Sequence, residues 1–145
     1  MHTSVKTTQF ENVMLIDDEE IDNLINERLI QVNYFARNVN VYTNVPAALA
    51  SIKKTLETNV GIPDVIFVDM QLPQFDGFYF LDHYRELCEM NPVLENTKVV
   101  ILSAYINKYP DHLWSSYNFV VGKVNKPLSD KVLGGLQEDL PKKVA

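Results

Sequence analysis

Residues 65–69 read Val-Ile-Phe-Val-Asp, a run of apolar side chains stopped by an acid. A continuous apolar run of this kind, without alternation, marks a strand buried on both faces, as in a parallel sheet. The pattern recurs on either side. Val13-Met14-Leu15-Ile16 runs into Asp17-Asp18, and Val99-Val100-Ile101-Leu102 runs into Ser103. Two weaker strands complete the set: Val39 and Val41 alternate with Asn40 and Tyr42, and Val120, Val121 and Val124 precede Lys126. Their half-apolar character suits the edges of a sheet, where one side meets solvent.

Helical periodicity fills the gaps. Ile21, Leu24, Ile25 and Leu29 share one face of a helix starting near Glu19, and Val45, Ala48, Leu49, Ile52 and Leu56 share another. Pro46 is tolerated there because its missing N–H falls in the first turn. Leu81, Tyr84, Leu87 and Cys88 mark a third helix, stopped by Asn91-Pro92. Val132, Leu133, Leu136 and Leu140 mark a last one, with Ser129 as its N-cap. A short helix around Leu113 and Trp114 is expected in the stretch from Ala104 to Asn118. Gly134-Gly135 weakens the last helix, and close packing or a deliberately loose helix would account for it.

Strands alternating with helices give an α/β fold, a doubly wound five-stranded parallel sheet with helices on both faces. Ligands bind such sheets outside the carboxyl ends of the strands. Asp17, Asp18, Asp69, Ser103 and Lys126 all emerge on that edge.

Composition narrows the function. The chain has 145 residues, room for one domain, and 46% hydrophobic residues, enough for a core without disulfides. The single cysteine, Cys88, cannot form an internal bridge, which points to a reducing compartment. No apolar run is long enough to span a bilayer, so a cytoplasmic protein without membrane contact is expected. Net charge is −6 and the 13 basic residues are scattered, so no direct nucleic-acid partner is expected. His2, His83 and His112 lack metal-ligand spacing, and there is no Gly-rich phosphate loop.

The strand-end residues suggest one chemistry together. Converging carboxylates repel each other and need a cation or a proton. Mg²⁺ suits them, because it takes oxygen ligands and keeps waters that a phosphoryl oxygen can displace. A carboxylate beside such an ion can act as nucleophile and form an acyl phosphate. Lys126 supplies positive charge and Ser103 a hydroxyl donor for the transferring group. Singly, each residue has a blander reading: the acids 17–20 favour a helix start, and Asp76-Gly77 is an ordinary turn. Their coincidence on one sheet edge carries the argument.

With Asp17-Asp18, the segment from Asp69 to Gly77 (DMQLPQFDG), Ser103-Ala104 and Lys126-Pro127, the chain resembles the CheY-like receiver domains of two-component response regulators, over about Asn12 to Leu140. The resemblance implies a flavodoxin-like strand order, 2-1-3-4-5, with tails at 1–11 and 141–145. It implies Asp69 as phosphoacceptor and Mg²⁺ held by Asp17, Asp18, Asp69 and the backbone carbonyl of Gln71. Asp18 is the direct ligand and Asp17 binds more through water. Ser103 and Lys126 contact the phosphoryl oxygens, Ala104 leaves the site open, and Lys126-Pro127 is cis. The implied donor is a sensor histidine kinase or a histidine phosphotransfer protein. Five residues follow Leu140, so output is expected through contact with a further, unidentified protein.

The chain would then be no enzyme beyond catalysing its own aspartyl phosphorylation and dephosphorylation. One departure from the family pattern is Lys123, where an aromatic residue usually stands; repacking of the Tyr105–Tyr117 segment is expected to replace the aromatic switch. Two alternatives remain open at this level. One is a pseudo-receiver that binds partners without phosphate turnover. The other is an aspartyl phosphohydrolase, disfavoured because Gln71 stands where a second acid would be needed.

Overall fold

The computed structural model describes residues 7–140. The tail expected over 141–145, and residues 1–6 of the N-terminal one, lie outside the described residues. The strands are β1 (Phe10–Ile16), β2 (Ala36–Tyr42), β3 (Val65–Asp69), β4 (Lys98–Ser103) and β5 (Val120–Asn125). The α-helices are α1 (Glu20–Val32), α2 (Val45–Thr58), α3 (Gly77–Met90) and α4 (Asp130–Asp139). All strand pairs are parallel, in the expected order β2-β1-β3-β4-β5.

The three solid apolar runs become the three central strands because only there are both faces covered. Alternate residues then feed two cores. Met14, Ile16, Ile66, Val68, Val99 and Ile101 pack under α2 and α3, while Val13, Leu15, Val65, Phe67, Val100 and Leu102 pack on the other face with α1 and α4. Side-chain caps start three helices: Asn44 Oδ1 accepts the Ala47 N–H at 2.9 Å, Asp76 Oδ1 that of Tyr79 at 3.0 Å, and Ser129 Oγ that of Val132 at 3.1 Å. Among the described residues no helix is long and apolar enough to cross a membrane.

Two elements depart from expectation. The apolar stripe of α1 faces solvent: Ile21 and Leu24 are 71% and 70% exposed, and the buried residues are Asn23, Asn26 and Ile30. The inward polar face is held locally, since the Asn23 Nδ2 donates to the Asp17 carbonyl at 2.7 Å, six residues back, and a buried polar group is retained where it finds a partner. Between β4 and β5 the short helix expected around Leu113 and Trp114 is present but as a 3₁₀ turn, Asp111–Trp114, preceded by a second one, Ile106–Lys108. Pro110 holds Tyr109 extended between them (φ −100°, ψ 119°) and cannot donate to a continuous helix. Trp114 anchors the segment by stacking on Phe78 of α3, centroids 5.6 Å apart.

A Cβ at Gly134 or Gly135 would meet nothing within 4 Å, so close packing does not explain that pair. Each Gly→Ala change is expected to stabilise the fold by about 0.5–1 kcal/mol through helix propensity. A urea midpoint that fails to rise in Gly134→Ala and Gly135→Ala would contradict this. Gly77 is the opposite case: a Cβ there would lie 2.7 Å from the Cα of Met70, against backbone that cannot swing away. Gly77→Ala is expected to cost roughly 1–3 kcal/mol, the usual scale of overpacking. A midpoint equal to that of the natural chain would refute the clash.

Candidate functional site

Strand register brings the chemistry together. Ile16 lies opposite Val68, Asp69 opposite Leu102, and Ser103 opposite Asn125, so each polar residue that ends a run falls on one edge. Asp17 and Asp69 are almost fully buried, at 1% and 4% exposure, while Asp18 is exposed. One carboxylate oxygen from each of Asp17, Asp18 and Asp69 lies within 4.8 Å of the others. These three carboxylates are hard oxygen donors of the kind a divalent cation takes, so the group could hold one.

Lys126 reaches this cluster from the end of β5. Its Nζ donates to Asp17 Oδ2 at 2.8 Å and to Asp69 Oδ2 at 3.2 Å. It also lies 3.2 Å from Asp22 Oδ2 on the first turn of α1. The remaining oxygens of the buried acids are held by backbone: Asp17 Oδ1 accepts the Glu19 N–H at 3.0 Å, and Asp69 Oδ1 that of Gln71 at 3.0 Å. Ser103 is fully buried, and its Oγ accepts the Tyr105 N–H at 3.0 Å. The hydroxyl proton remains to be donated. The Lys126-Pro127 peptide is cis, as expected, and the Lys126 N–H donates to the Ser103 carbonyl at 2.8 Å.

These surroundings pull the ionisable groups in opposite directions. Burial pushes the Asp69 carboxyl above its ordinary value and the Asp17 charge adds to this, against the Gln71 N–H and Lys126. Burial works against the charge on Lys126, but Asp17, Asp69 and Asp22 outweigh it and hold the ammonium above its ordinary range. Asp18, Asp22, Asp69, Gln71, Ala104 and Lys126 line one cleft of about 420 Å³. A largely buried carboxylate, an ammonium held by acids and the exposed Asp18 of the acid group thus share one opening.

Of the expected site residues, Asp18, Asp69, Gln71 and Lys126 line this cleft and Asp17 joins them through Lys126, while Ser103 lies buried at the end of β4. Asp22 was not expected, although its place four residues after Asp18 puts it on the same side of a helical first turn. Lys123 stands apart, on the β5 edge, paired with Asp111 of the second 3₁₀ turn. That pairing meets the need of a half-exposed ammonium for a partner.

Residues 13–133 match the response regulator receiver domain family. The chain belongs to that family. A relative in Halalkalibacterium halodurans, the sensory transduction protein BceR, is 30% identical over 95 residues. That match covers 66% of this chain but only 34% of BceR, so the chain spans about a third of that relative's length. Among solved structures, a two-component response regulator from Cytophaga hutchinsonii has a TM-score of 0.75 at 22% identity, covering 92% of this chain and 97% of that one. The Mn²⁺-bound form of response regulator Rcp1 has a TM-score of 0.64 at 21% identity, covering 88% and 90%. These structures share the receiver fold.

Proposed function

We propose that this receiver domain is a phosphoacceptor switch, charged on Asp69 by a sensor histidine kinase or a histidine phosphotransfer protein and read by contact with a further protein in the cytoplasm. The observation that carries it is the buried Asp69 carboxylate, 3.2 Å from the Lys126 ammonium and grouped with Asp17 and Asp18. A carboxylate oxygen of Asp69 attacks phosphorus. The bond from phosphorus to the donor's imidazole nitrogen breaks, and its electron pair stays on nitrogen. Lys126 offsets the charge on the phosphoryl oxygens, and the Ser103 hydroxyl donates to one of them. The Gln71 N–H holds Asp69 Oδ1 and so fixes the carboxylate plane.

Asp17, Asp18, Asp69 and the Gln71 carbonyl would hold Mg²⁺, which supplies further charge neutralisation when bound. The divalent ion in the Rcp1 structure supports that choice. The direct test is incubation with acetyl phosphate and Mg²⁺, followed by peptide mapping. A mass increase of one phosphoryl group localised to Asp69 is expected; a label elsewhere, or none, would sink the proposal.

Readout passes through the loop after Ser103. Trp114 is the sole tryptophan and sits buried against Phe78 and Tyr109 in that segment. A phosphoryl group adds roughly −1.5 to −2 charge at Asp69 and draws in Ser103, whose Oγ holds the Tyr105 N–H. Beryllofluoride, a mimic of the phosphoryl group, is therefore expected to change Trp114 emission. An emission spectrum that stays constant while beryllofluoride binds would rule this route out.

A further inference from the structure

The Lys126 ammonium has three N–H bonds, and its three close oxygen neighbours are the carboxylates of Asp17, Asp69 and Asp22. Two of these three belong to the acid group suited to a cation. The third does not. Asp22 comes from α1 rather than from a strand end, and it is about half-exposed at 43%. We infer that Asp22 is a positioning residue, a tether that keeps Lys126 aimed at Asp69 when Asp17 and Asp69 are engaged elsewhere.

The argument is one of competing charge and rests on the phosphoacceptor reading above. With Asp17 and Asp69 serving a cation, their pull on Lys126 weakens and the like charge of that cation pushes the ammonium outward. Asp22 then remains as the carboxylate that holds Lys126 in the cleft. Its position on the first turn of α1 is rigid: the helix is fixed to the site by the Asn23 Nδ2 bond to the Asp17 carbonyl. Held this way, Lys126 meets an incoming phosphoryl oxygen without first being recovered from solvent, where a long flexible side chain would gain rotamer freedom.

The inference has a sign that general electrostatics lacks. Removing a negative charge beside an anion site should by itself strengthen anion binding. Loss of a tether should weaken it. In the full chain with Mg²⁺, Asp22→Asn is therefore expected to bind beryllofluoride roughly fivefold more weakly, the scale of a half-exposed ion pair. Asp22→Glu should recover most of the affinity. In ¹⁵N spectra of the lysine ammonium groups, with Mg²⁺ but no beryllofluoride, Lys126 should exchange with water faster in Asp22→Asn than in the natural chain. Affinity that is unchanged or raised in Asp22→Asn overturns the tether. Natural protein that takes up no beryllofluoride would count against the phosphoacceptor reading itself; the ammonium exchange then decides the tether alone, and an unchanged rate overturns it.

Discussion

Asp69→Ala is expected to take up no phosphoryl group from acetyl phosphate under conditions where the natural chain is fully labelled. Among the described strands only β3 is buried along its whole length; Asp69 ends it, with its carboxylate 3.2 Å from the Lys126 ammonium. Asp17 does not substitute readily, because it is almost fully buried and, unlike Asp69, does not line the cleft. Mass spectrometry of the intact chain checks this, and undiminished labelling of the variant would sink the assignment.

The same carboxylate has a stability signature. Burial, then the Asp17 charge, raises its pKa in the folded state. For a group raised on folding, the proton-linked stability is fully present below the unfolded value and is lost as pH rises through the folded one. At neutral pH the ionised Asp69 therefore costs stability. The isosteric Asp69→Asn should resist urea better than the natural chain in metal-free buffer. That advantage should shrink as pH falls into the carboxylate range, where Asp69 itself becomes neutral. A pH-independent difference would mean that packing, not charge, separates the two.

Asp18→Asn is expected to weaken Mg²⁺ binding by on the order of tenfold or more, at least the loss typical of disturbing an outer-shell partner. Asp18 is exposed at the mouth of the cleft, with its carboxylate grouped with those of Asp17 and Asp69. Asp17 is placed differently, since Lys126 and the Glu19 N–H already occupy its two oxygens. Asp17→Asn should therefore cost less affinity, only several-fold, as an amide oxygen can still accept the Glu19 N–H. Affinity should also fall as pH drops, because ligation needs ionised carboxylates. Calorimetric titration of the three proteins measures this. Equal affinity in the natural chain and Asp18→Asn would contradict a direct-ligand role.

Much of this molecule is decided by short-range pattern. An apolar run such as Val65 to Val68 can be satisfied only by a strand covered on both faces, so the central sheet is legible residue by residue. Once three parallel strands are placed, their ends share an edge by geometry, and Asp17, Asp69 and Ser103 follow the last apolar residue of each. The helix starts are equally local, because Asn44, Asp76 and Ser129 each cap with their own side chains.

What pattern could not decide is where a partner comes from far along the chain. Helical periodicity says that Ile21, Leu24 and Ile25 share a face, but not which face meets the sheet. Asn23 reverses the simple answer by bonding the Asp17 carbonyl, so α1 turns its polar side inward near the site. Asp22 reads as one more acid at a helix start until Lys126, over a hundred positions later, is brought within 3.2 Å of it. The Trp114 segment likewise takes its shape from Phe78 on α3, against the break imposed by Pro110. For Asp22 and Trp114 the deciding contact joins elements distant in sequence, and for Asn23 it is a side-chain bond to the strand end just before the helix; periodicity along a single element carries no information about either.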